Sequence, residues 1–334
     1  MSEIILGIES SCDETAAAIC KDGEIISNNI ATQSIHEKFG GVVPELASRA
    51  HQKNIIPTLN ACLAETNTSV SDISAIAYTQ GPGLLGALLV GSSFAKGIAA
   101  SLDIPLIPIN HMRAHVLAHF IEDPKPKFPF LCLTVSGGHT QIVEVSSYHE
   151  MKVIGTTIDD AVGEAFDKCG KIMELGYPGG PKVDKLASEG NEDKFSFPHS
   201  NIPDLNYSFS GIKTAFLYFL RDENKKNPNF LTDNMNDLAA SLQKTLIDML
   251  FAKLIKAAKN TGIKHVAIAG GVSANSGIRK RLNEEAVKRN WKVYIPKFEY
   301  CTDNAAMVAM TGYLKFKDAI FGDLRDSPIP RMSI

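Results

Sequence analysis

Residues Phe130–Val145, with the sequence FLCLTVSGGHTQIVEV, carry the clearest indication of the fold. The apolar start, Phe130–Val135, is typical of a buried strand, and the small residues Ser136-Gly137-Gly138 predict a tight turn. Thr140–Val145 then predicts a partner strand. The turn places backbone N–H groups at the end of a strand, and its glycines let a phosphate approach them closely. The stretch therefore predicts a hairpin of an α/β protein whose turn can hold phosphate.

The same order of elements opens the chain. The apolar segment Ile4–Glu9 is followed by the small polar turn Ser10–Thr15 and two more strand-like segments. A third turn, Gly270–Asn275, follows the apolar strand His265–Ala269. One such turn is usually no more than a tight turn. Three together resemble the layout of the actin, Hsp70 and sugar-kinase (ASKHA) nucleotide fold, and the G-x-x-x-x-G-K-[ST] pattern of P-loop proteins is absent.

The fold class expected is therefore α/β, with two duplicated ribonuclease-H-like halves flanking a nucleotide cleft. A chain of 334 residues has room for two such halves. The proline-rich segment Asp123–Pro129 predicts a boundary between them. We expect a first half at residues 1–125 and a second at 126–334, with a helical insertion at about 160–260. Part of the C-terminal helix can pack back on the first half.

Composition and charge narrow the class of protein. Hydrophobic residues make up 44% and charged residues 21%, as in ordinary folded proteins, and the net charge of −3 gives no sign of a nucleic-acid or membrane-surface partner. The cysteines form no C-x-x-C pair and the N-terminus lacks a signal-peptide pattern, so reduced thiols and a cytoplasmic location are expected. The apolar stretch Gly83–Leu102 contains several glycines and polar residues, which favours a buried helix over a membrane span.

Three histidines fall within one short helical segment, at positions 111, 115 and 119. His111 and His115 are four residues apart, so they project from one helix face and can share a metal ion. His119 lies about 12 Å along the helix axis from His111, too far to join them. Two ordinary helix histidines are an equally good explanation of the pair.

A metal site would need a further ligand, and Asp303 is the best candidate. It lies at a predicted helix N-terminus, where a helix cap explains it at least as well. The zinc-protease pattern H-E-x-x-H is not present, because Met112 stands where the catalytic glutamate would be. This argues against peptide hydrolysis.

Ordered motifs along nearly the whole chain resemble the TsaD family, also described as the Kae, Gcp or YgjD family. The motifs are Gly7–Thr15, Gly40–Arg49, Gly81–Gly83, Asn110–His115, Val135–Thr140, Gly163–Lys168, Tyr177–Pro181, Phe209–Gly211, Ala269–Asn275 and Cys301–Asn304. The Ser-Ser-Cys-Asp-Glu-Thr opening and the Ser-Gly-Gly-His form are similar to the bacterial branch. Archaeal and eukaryotic relatives tend to carry Tyr at the place of Thr134, so no Tyr contact is carried over.

The resemblance implies transfer of a threonylcarbamoyl group from threonylcarbamoyl-AMP to the exocyclic amine of an adenosine in tRNA. The target is the adenosine just 3′ of the anticodon, in tRNAs that read codons beginning with A. His111, His115 and Asp303 are the implied ligands of one divalent metal ion, Fe²⁺ or Zn²⁺. An adenine nucleotide is also implied, as threonylcarbamoyl-AMP, AMP or ATP, with or without Mg²⁺. The implied substrate and nucleotide contacts are Thr134, Val135, Ser136, Gly137, Gly138, Asp167, Gly180, Asp184 and Asn275.

The sequence does not identify a general base for this reaction. Asp13 and Glu14, in the first turn, are weak candidates that can equally cap the turn. Ordinary roles also compete for three of the implied contacts. Asp167 and Asp184 can be helix caps or surface carboxylates, and Asn275 can be a helix N-cap.

The resemblance further implies tRNA as substrate, the partner proteins TsaB and TsaE, a TsaC-type synthase that supplies the donor, and no membrane. The helical segment Pro44–Ala64 is a candidate interface, although core packing explains it as well. The basic residues between Arg279 and Lys292 could bind tRNA, but a solvated helix face is the better explanation. Weak, salt-sensitive tRNA binding by the isolated chain is therefore expected.

Three other functions compete with this one. A small-molecule kinase of the same fold explains the turns but not the paired histidines. A metalloprotease is disfavoured by Met112. A non-enzymatic, ATP-driven scaffold like Hsp70 would bind nucleotide and recruit partners without transferring a group.

Overall fold

The computed structural model of the protein describes residues 2–200 and 202–334. The chain forms two compact units, which we call unit 1 (Met1–Lys125 with Pro296–Ile334) and unit 2 (Pro126–Ile295). Each unit contains one five-stranded sheet with helices packed on it.

Unit 1 is built on a mixed sheet. Its strands are β1 (Ile4–Glu9), β2 (Glu14–Lys21), β3 (Glu24–Thr32), β4 (Ala75–Gly81) and β5 (Leu106–Asn110). They lie in the order β3-β2-β1-β4-β5, with β1 antiparallel to β2 and parallel to β4. β1 is therefore central and buried along its whole length, which explains why its sequence is almost continuously apolar.

The helices of unit 1 cover both faces of this sheet. They are α1 (Pro44–Thr66), α2 (Leu85–Leu102), α3 (His111–Leu117) and the last helix of the chain, α10 (Ala305–Lys317). Leu6 and Ile8 of β1 belong to the apolar cluster that includes residues of α1 and α2. Gly7 faces α10, and a Cβ there would lie 2.6 Å from the carbonyl oxygen of Ala305. The missing side chain lets α10 lie directly on β1.

Unit 2 repeats this sheet. Its strands are β6 (Phe130–Val135), β7 (Thr140–Val145), β8 (Met151–Thr156), β9 (His265–Ala269) and β10 (Lys292–Tyr294). The order is β10-β9-β6-β7-β8, with β6 antiparallel to β7 and parallel to β9. The first strand of each unit is central, its hairpin partner lies on one side, and a parallel strand lies on the other. The predicted α/β class with two duplicated halves is confirmed.

The helical part of unit 2 lies between β8 and β9 and continues before β10. It comprises α4 (Val162–Ile172), α5 (Gly180–Ala187), α6 (Ser210–Lys226), α7 (Phe230–Asp233), α8 (Met235–Thr261) and α9 (Ser276–Arg289). Phe166, Phe216 and Leu246 from three of these helices join Leu133 of β6 in one buried apolar cluster.

One expected boundary differs from the observed grouping. From sequence, residues 126–334 form the second half, whereas residues 296–334 group with unit 1. The reason is that α10 packs on the sheet of unit 1, where Gly312 lies against Ala77 and Gly7 lies against Ala305. Only part of the last helix was expected to pack there, and the whole C-terminal segment does.

Two helices of unit 1 bear on sequence expectations. Pro57 does not end α1, which continues from Pro44 to Thr66. Pro57 is exposed, as is Lys53, whose carbonyl loses its helical partner, so water can bond that carbonyl. Within residues 2–200 and 202–334, α2 alone is long and apolar enough to cross a membrane by length and composition. One face of this helix, including Ala87, Leu88 and Ala95, is buried in the unit, and a single helix of this kind is weak evidence for a membrane span.

Candidate functional site

The histidine cluster lies at the end of β5, where α3 begins. Asn110 caps α3, because its side chain accepts a hydrogen bond from the Arg113 N–H at 3.0 Å. His111 and His115 are one turn apart on this helix, with ring centroids 4.7 Å apart. Both Nε2 atoms face Asp303 Oδ1, at 3.3 Å from His111 and 3.1 Å from His115. The three side chains therefore converge although Asp303 is far away in sequence.

Asp303 does not cap the following helix. That role belongs to Asn304, whose side chain accepts a hydrogen bond from the Met307 N–H at 3.0 Å. The Asp303 carboxylate is directed to the two histidines instead. The helix-cap explanation of Asp303 is thus replaced by a place in the histidine cluster.

The donor set fits a divalent transition metal. One ligand atom from each of His111, His115 and Asp303 can be chosen so that all lie within 4.8 Å of one another. Bonds of about 2.0–2.1 Å in a tetrahedral site place two ligand atoms about 3.3 Å apart, close to the observed Nε2–Oδ1 distances. Imidazole nitrogen and carboxylate oxygen suit zinc and iron alike. Three protein ligands also leave a coordination position for substrate.

Electrostatics in the cluster favour positive charge. Burial alone would lower the pKa of His111, but Asp303 and Glu9 outweigh it and raise that pKa well above its usual value. Burial likewise opposes ionisation of Asp303, yet the two histidines hold its pKa well below its usual range. Two carboxylates and two imidazoles packed together thus form a site that attracts a cation.

Glu9 is part of this cluster and was not singled out from sequence. It is fully buried at the end of β1, and its Oε2 lies 3.0 Å from His111 Nδ1. A sequence signal was available, because a charged residue that ends an otherwise apolar central strand needs buried partners.

The first turn, after β1, carries the two weak acid–base candidates. Glu14 begins β2, and burial raises its pKa to about 10, with Asp303 and Asp13 adding to the shift. Glu14 is therefore protonated near neutral pH. Burial and the same acidic neighbours also raise the pKa of the Cys12 thiol, which is accordingly neutral and a poor nucleophile.

The Ser-Gly-Gly turn of unit 2 is closed by its own hydrogen bonds. The Ser136 N–H donates to the His139 carbonyl at 2.8 Å, and the His139 N–H donates to Ser136 Oγ at 3.0 Å. Gly137 and Gly138 are exposed, and a Cβ on either would meet nothing within 4 Å. Thr134, just before the turn, is buried, and its hydroxyl has no hydrogen-bond partner among the described residues. Val135 is buried in the sheet.

Asp167 holds the start of α5. Its Oδ1 accepts hydrogen bonds from the Gly179 N–H at 2.8 Å and the Gly180 N–H at 3.1 Å. Burial raises the pKa of this carboxyl, and the two N–H groups partly offset the shift. Asp167 is therefore not the N-cap of a helix: it lies within α4 and binds the first N–H groups of α5 from there.

Asp184 and Asn275 are joined by Gln243, which sequence reasoning missed. Gln243 of α8 donates to Asp184 Oδ1 at 3.0 Å and accepts from Asn275 Nδ2 at 2.7 Å. Asn275 also caps α9 by accepting from the Ile278 N–H, and Asp184 accepts from the Ser276 N–H and hydroxyl. No local pattern marks Gln243, because it is one of many positions on a long helix.

The expected residues thus fall into two groups. His111, His115 and Asp303, together with Asp13 and Glu14, lie in unit 1. The other group lies in unit 2 and consists of Thr134, Val135, Ser136, Gly137, Gly138, Asp167, Gly180, Asp184 and Asn275.

Part of the positive charge in the basic segment from Arg279 to Lys292 is paired with carboxylates. The buried carboxylate of Glu285 lies 3.1 Å from Arg281 Nε, 3.8 Å from Lys288 Nζ and 2.7 Å from Arg289 Nε. Arg281 also contacts Asp248 at 2.9 Å. These ion pairs neutralise part of the positive charge of the segment.

Comparison with known proteins gives one consistent result. The family model described as "TsaD: tRNA N6-adenosine threonylcarbamoyltransferase" matches residues 24–310. A tRNA N6-adenosine threonylcarbamoyltransferase of Phocaeicola vulgatus is 57% identical, and 100% of each chain is covered. The protein of that name from Cytophaga hutchinsonii is 58% identical over 100% of this chain and 97% of its own. The one from Thermosipho africanus is 48% identical over 99% and 100%.

Two solved structures are similar in fold. Full-length HypF, in a phosphate- and nucleotide-bound form, aligns with a TM-score of 0.64 and 14% identity over 96% of this chain and 47% of its own. Component A of the Acidaminococcus fermentans (R)-2-hydroxyglutaryl-CoA dehydratase aligns with a TM-score of 0.56 and 17% identity, over 94% and 98%. At these identities the likeness concerns the fold alone.

Proposed function

Because the chain belongs to the TsaD family of tRNA N6-adenosine threonylcarbamoyltransferases, we propose that His111, His115 and Asp303 hold the metal ion that assists its reaction. The observation that carries this proposal is the convergence of two imidazole nitrogens on one carboxylate oxygen, at 3.3 and 3.1 Å. Two adjacent helix histidines alone would not specify such a site.

The reaction itself follows from the family. The enzyme transfers the threonylcarbamoyl group of threonylcarbamoyl-AMP to the exocyclic amine of the adenosine 3′ of the anticodon. The C–N bond to the adenine amine forms, the bond from the carbamoyl carbon to the phosphate oxygen breaks, AMP leaves and the amine loses a proton. The adenine amine is a weak nucleophile because its lone pair is delocalised into the ring. Because the family is one of threonylcarbamoyltransferases, the kinase, protease and scaffold alternatives are no longer needed to explain the chain.

The donor must be activated and its leaving group stabilised. A divalent Fe²⁺ or Zn²⁺ ion would supply Lewis-acid polarisation of the carbamoyl carbonyl. The exposed backbone of Gly137 and Gly138 is suited to hold the AMP phosphate and its growing negative charge. Glu14 and Asp13, in the first turn, are our candidates for accepting the amine proton. Glu14 must first be ionised, since its pKa is raised.

We assign the rest of the nucleotide to the α4–α9 region of unit 2. Asp167 and Asp184 would bond ribose hydroxyls, Gly180 would let backbone approach the ribose or base, and Asn275 would contact the sugar or base edge. Gln243 supports this assignment, because it ties Asp184 to Asn275 and keeps both side chains in place.

Replacing the metal ligands tests the metal site. His111→Ala, His115→Ala and Asp303→Asn should each lower bound zinc or iron and reduce transfer at least about 100-fold, since a catalytic metal is worth several kcal/mol. His149→Ala, at an exposed histidine outside the cluster, is the matched control. Metal content by mass spectrometry and tRNA mass after incubation with threonylcarbamoyl-AMP are the two measurements. Full transfer by the ligand variants would refute the assignment.

A second substitution tests the phosphate turn. A side chain at Gly137 enters open space, so Gly137→Trp should leave the fold intact while blocking the place assigned to the phosphate. AMP binding measured by calorimetry should weaken at least about tenfold, the equivalent of 1.4 kcal/mol. Gly211→Trp, also at an open position, should bind AMP like the wild type. Unchanged AMP affinity in Gly137→Trp would show that the phosphate binds elsewhere.

We also propose the partners and the compartment. TsaB-type and TsaE-type proteins would assist the enzyme, a TsaC-type synthase would supply the donor, and the reaction would take place in the cytoplasm. α1 and α2 lie side by side in unit 1 and expose the apolar residues Ile56, Leu85 and Leu89, a suitable surface for a partner. The six free cysteines agree with a reducing compartment.

A further inference from the structure

Glu9 is a buried carboxylate with three hydrogen-bond donors around it. It ends β1 with 0% of its surface exposed. Its Oε1 accepts from the Ser11 N–H at 2.5 Å, and its Oε2 accepts from the Thr79 hydroxyl at 2.6 Å and lies 3.0 Å from His111 Nδ1. A buried charge is tolerated only when such partners replace water. The arrangement therefore suits an ionised Glu9.

The contact with His111 determines where that imidazole carries its proton. An ionised carboxylate only accepts hydrogen bonds, so Nδ1 of His111 must be the donor. A histidine that binds a metal is neutral, so Nε2, the other ring nitrogen, then carries no proton. This atom faces Asp303 at 3.3 Å. The protonated nitrogen thus faces Glu9, and the nitrogen that can bind a metal faces the remaining ligands.

His115 lacks this support. Its Nε2 also faces Asp303, at 3.1 Å, but its Nδ1 has no hydrogen-bond partner among the described residues. The two histidines of the cluster therefore differ in their surroundings, although they occupy equivalent places on one helix.

We propose that Glu9 is a positioning residue that fixes the tautomer and the ring orientation of His111 for metal binding through Nε2. A carboxylate behind a metal-binding histidine orients the ring and makes the ligating nitrogen more basic. The inference rests on the proposed metal site and adds to it a residue that does not touch the metal. The ring orientation of His111 would then be fixed more firmly than that of His115.

A purely structural role of Glu9 is the competing explanation, because Glu9 also holds the turn at Ser11 and the hydroxyl of Thr79. Three variants of the full-length protein separate the two roles. Glu9→Gln removes the charge and one acceptor position. Thr79→Val removes a donor to the same carboxylate without touching His111. Ser11→Ala removes the hydroxyl that lies 3.2 Å from His111 Nδ1.

Zinc affinity, measured by competition with a chromogenic chelator, is the first readout. We expect Glu9→Gln to bind zinc about 10–100-fold more weakly, the usual effect of losing such an outer partner. Thr79→Val and Ser11→Ala should keep the wild-type affinity. An unchanged affinity in Glu9→Gln, or an equal loss in Thr79→Val, overturns the inference. A wild-type protein that binds no zinc overturns the metal site itself, and this inference with it.

The second readout needs no variant at position 9 and so does not depend on whether Glu9→Gln folds. In wild-type protein with ¹⁵N-labelled histidine, the His111 signals are assigned by their loss in His111→Gln. NMR should show a proton on Nδ1 and none on Nε2 after zinc loading. A proton on Nε2, with Nδ1 bound to zinc, overturns the inference.

Discussion

Among single residues, Asp303 and Asn275 are both short polar residues just before a helix, but their side chains have different roles. Asn275 caps α9 through the Ile278 N–H. Asp303 precedes α10, but the adjacent Asn304 caps that helix and the Asp303 carboxylate faces the histidines. Sequence patterns do not distinguish a cap from a ligand, because both need a short polar side chain at a helix start.

Asp167 combines a structural role with a proposed substrate contact, and the two can be measured separately. Asp167→Ala leaves the Gly179 and Gly180 N–H groups without their acceptor. We expect the free energy of unfolding to fall by about 1–3 kcal/mol, the cost of buried groups left unpaired. Urea denaturation measures this, and Lys171→Ala, at an exposed position of the same helix, should change stability little. A wild-type stability of Asp167→Ala would mean that these hydrogen bonds are not maintained.

Among the secondary-structure elements, the third turn depends on the close approach of two strands. Gly270 has φ +87°, and a Cβ there would lie 2.4 Å from the Val135 carbonyl oxygen. Gly270→Ala should therefore lower the free energy of unfolding by at least about 2 kcal/mol, from backbone strain and steric overlap. The neighbouring Gly271→Ala meets nothing within 4 Å and should be nearly neutral. Equal melting temperatures of the two variants would contradict this account.

The first turn is tied to α1 by His51, which predicts a pH dependence of stability. His51 is buried and contacts the Thr15 hydroxyl at 2.8 Å and the Cys12 carbonyl at 2.9 Å. Burial lowers its pKa, although the Cys12 carbonyl partly offsets the shift. Below the unfolded-state pKa of about 6.5, the unfolded chain then binds more protons than the folded one, so stability falls as the pH falls.

The difference between wild type and His51→Gln isolates this contribution. Urea denaturation from about pH 7.5 to about pH 5, a range that spans the unfolded-state pKa, should show a stability loss towards low pH that is smaller in His51→Gln. Parallel curves for the two proteins would mean that the pKa of His51 is the same in the folded and unfolded states.

For the molecule as a whole, the net charge and the tRNA substrate have to be reconciled. The chain acts on tRNA, yet its net charge is −3 and Glu285 pairs with three basic residues of α9. We expect the isolated chain to bind tRNA weakly, because few phosphate contacts are available, and we expect its affinity to fall as salt rises, because those contacts are electrostatic. Fluorescence anisotropy with a labelled anticodon stem-loop, titrated at several salt concentrations, measures this. Tight, salt-insensitive binding would contradict it.

The apolar surface of α1 and α2 gives a matched test of partner binding. Leu89 is 46% exposed there, whereas Val287 of α9 is 87% exposed at a site with no proposed partner. Leu89→Glu should weaken a complex with a TsaB-type protein, because it places a charge in an apolar interface. Val287→Glu should not. Analytical gel filtration of each variant with the partner decides, and equal complex formation would place the interface elsewhere.

Features that depend on neighbouring residues could be predicted from the amino-acid sequence. Apolar runs followed by small polar turns predicted the central strands of both units, and their repetition predicted the duplicated fold. The four-residue spacing of His111 and His115 placed both on one helix face. The family resemblance, carried by motifs along the chain, indicated the reaction and implied Asp303 as the third residue of the candidate metal site.

Contacts between distant residues became known only from the folded structure. It brings Glu9 to His111, places Gln243 between Asp184 and Asn275, and groups residues 296–334 with unit 1. These contacts join residues far apart in the chain, and they arise from burying apolar faces of whole helices and strands. Local sequence patterns do not indicate which distant element will pack against such a face. The contacts of a buried carboxylate such as Glu9, or of a helix glutamine such as Gln243, are therefore seen only in the folded chain.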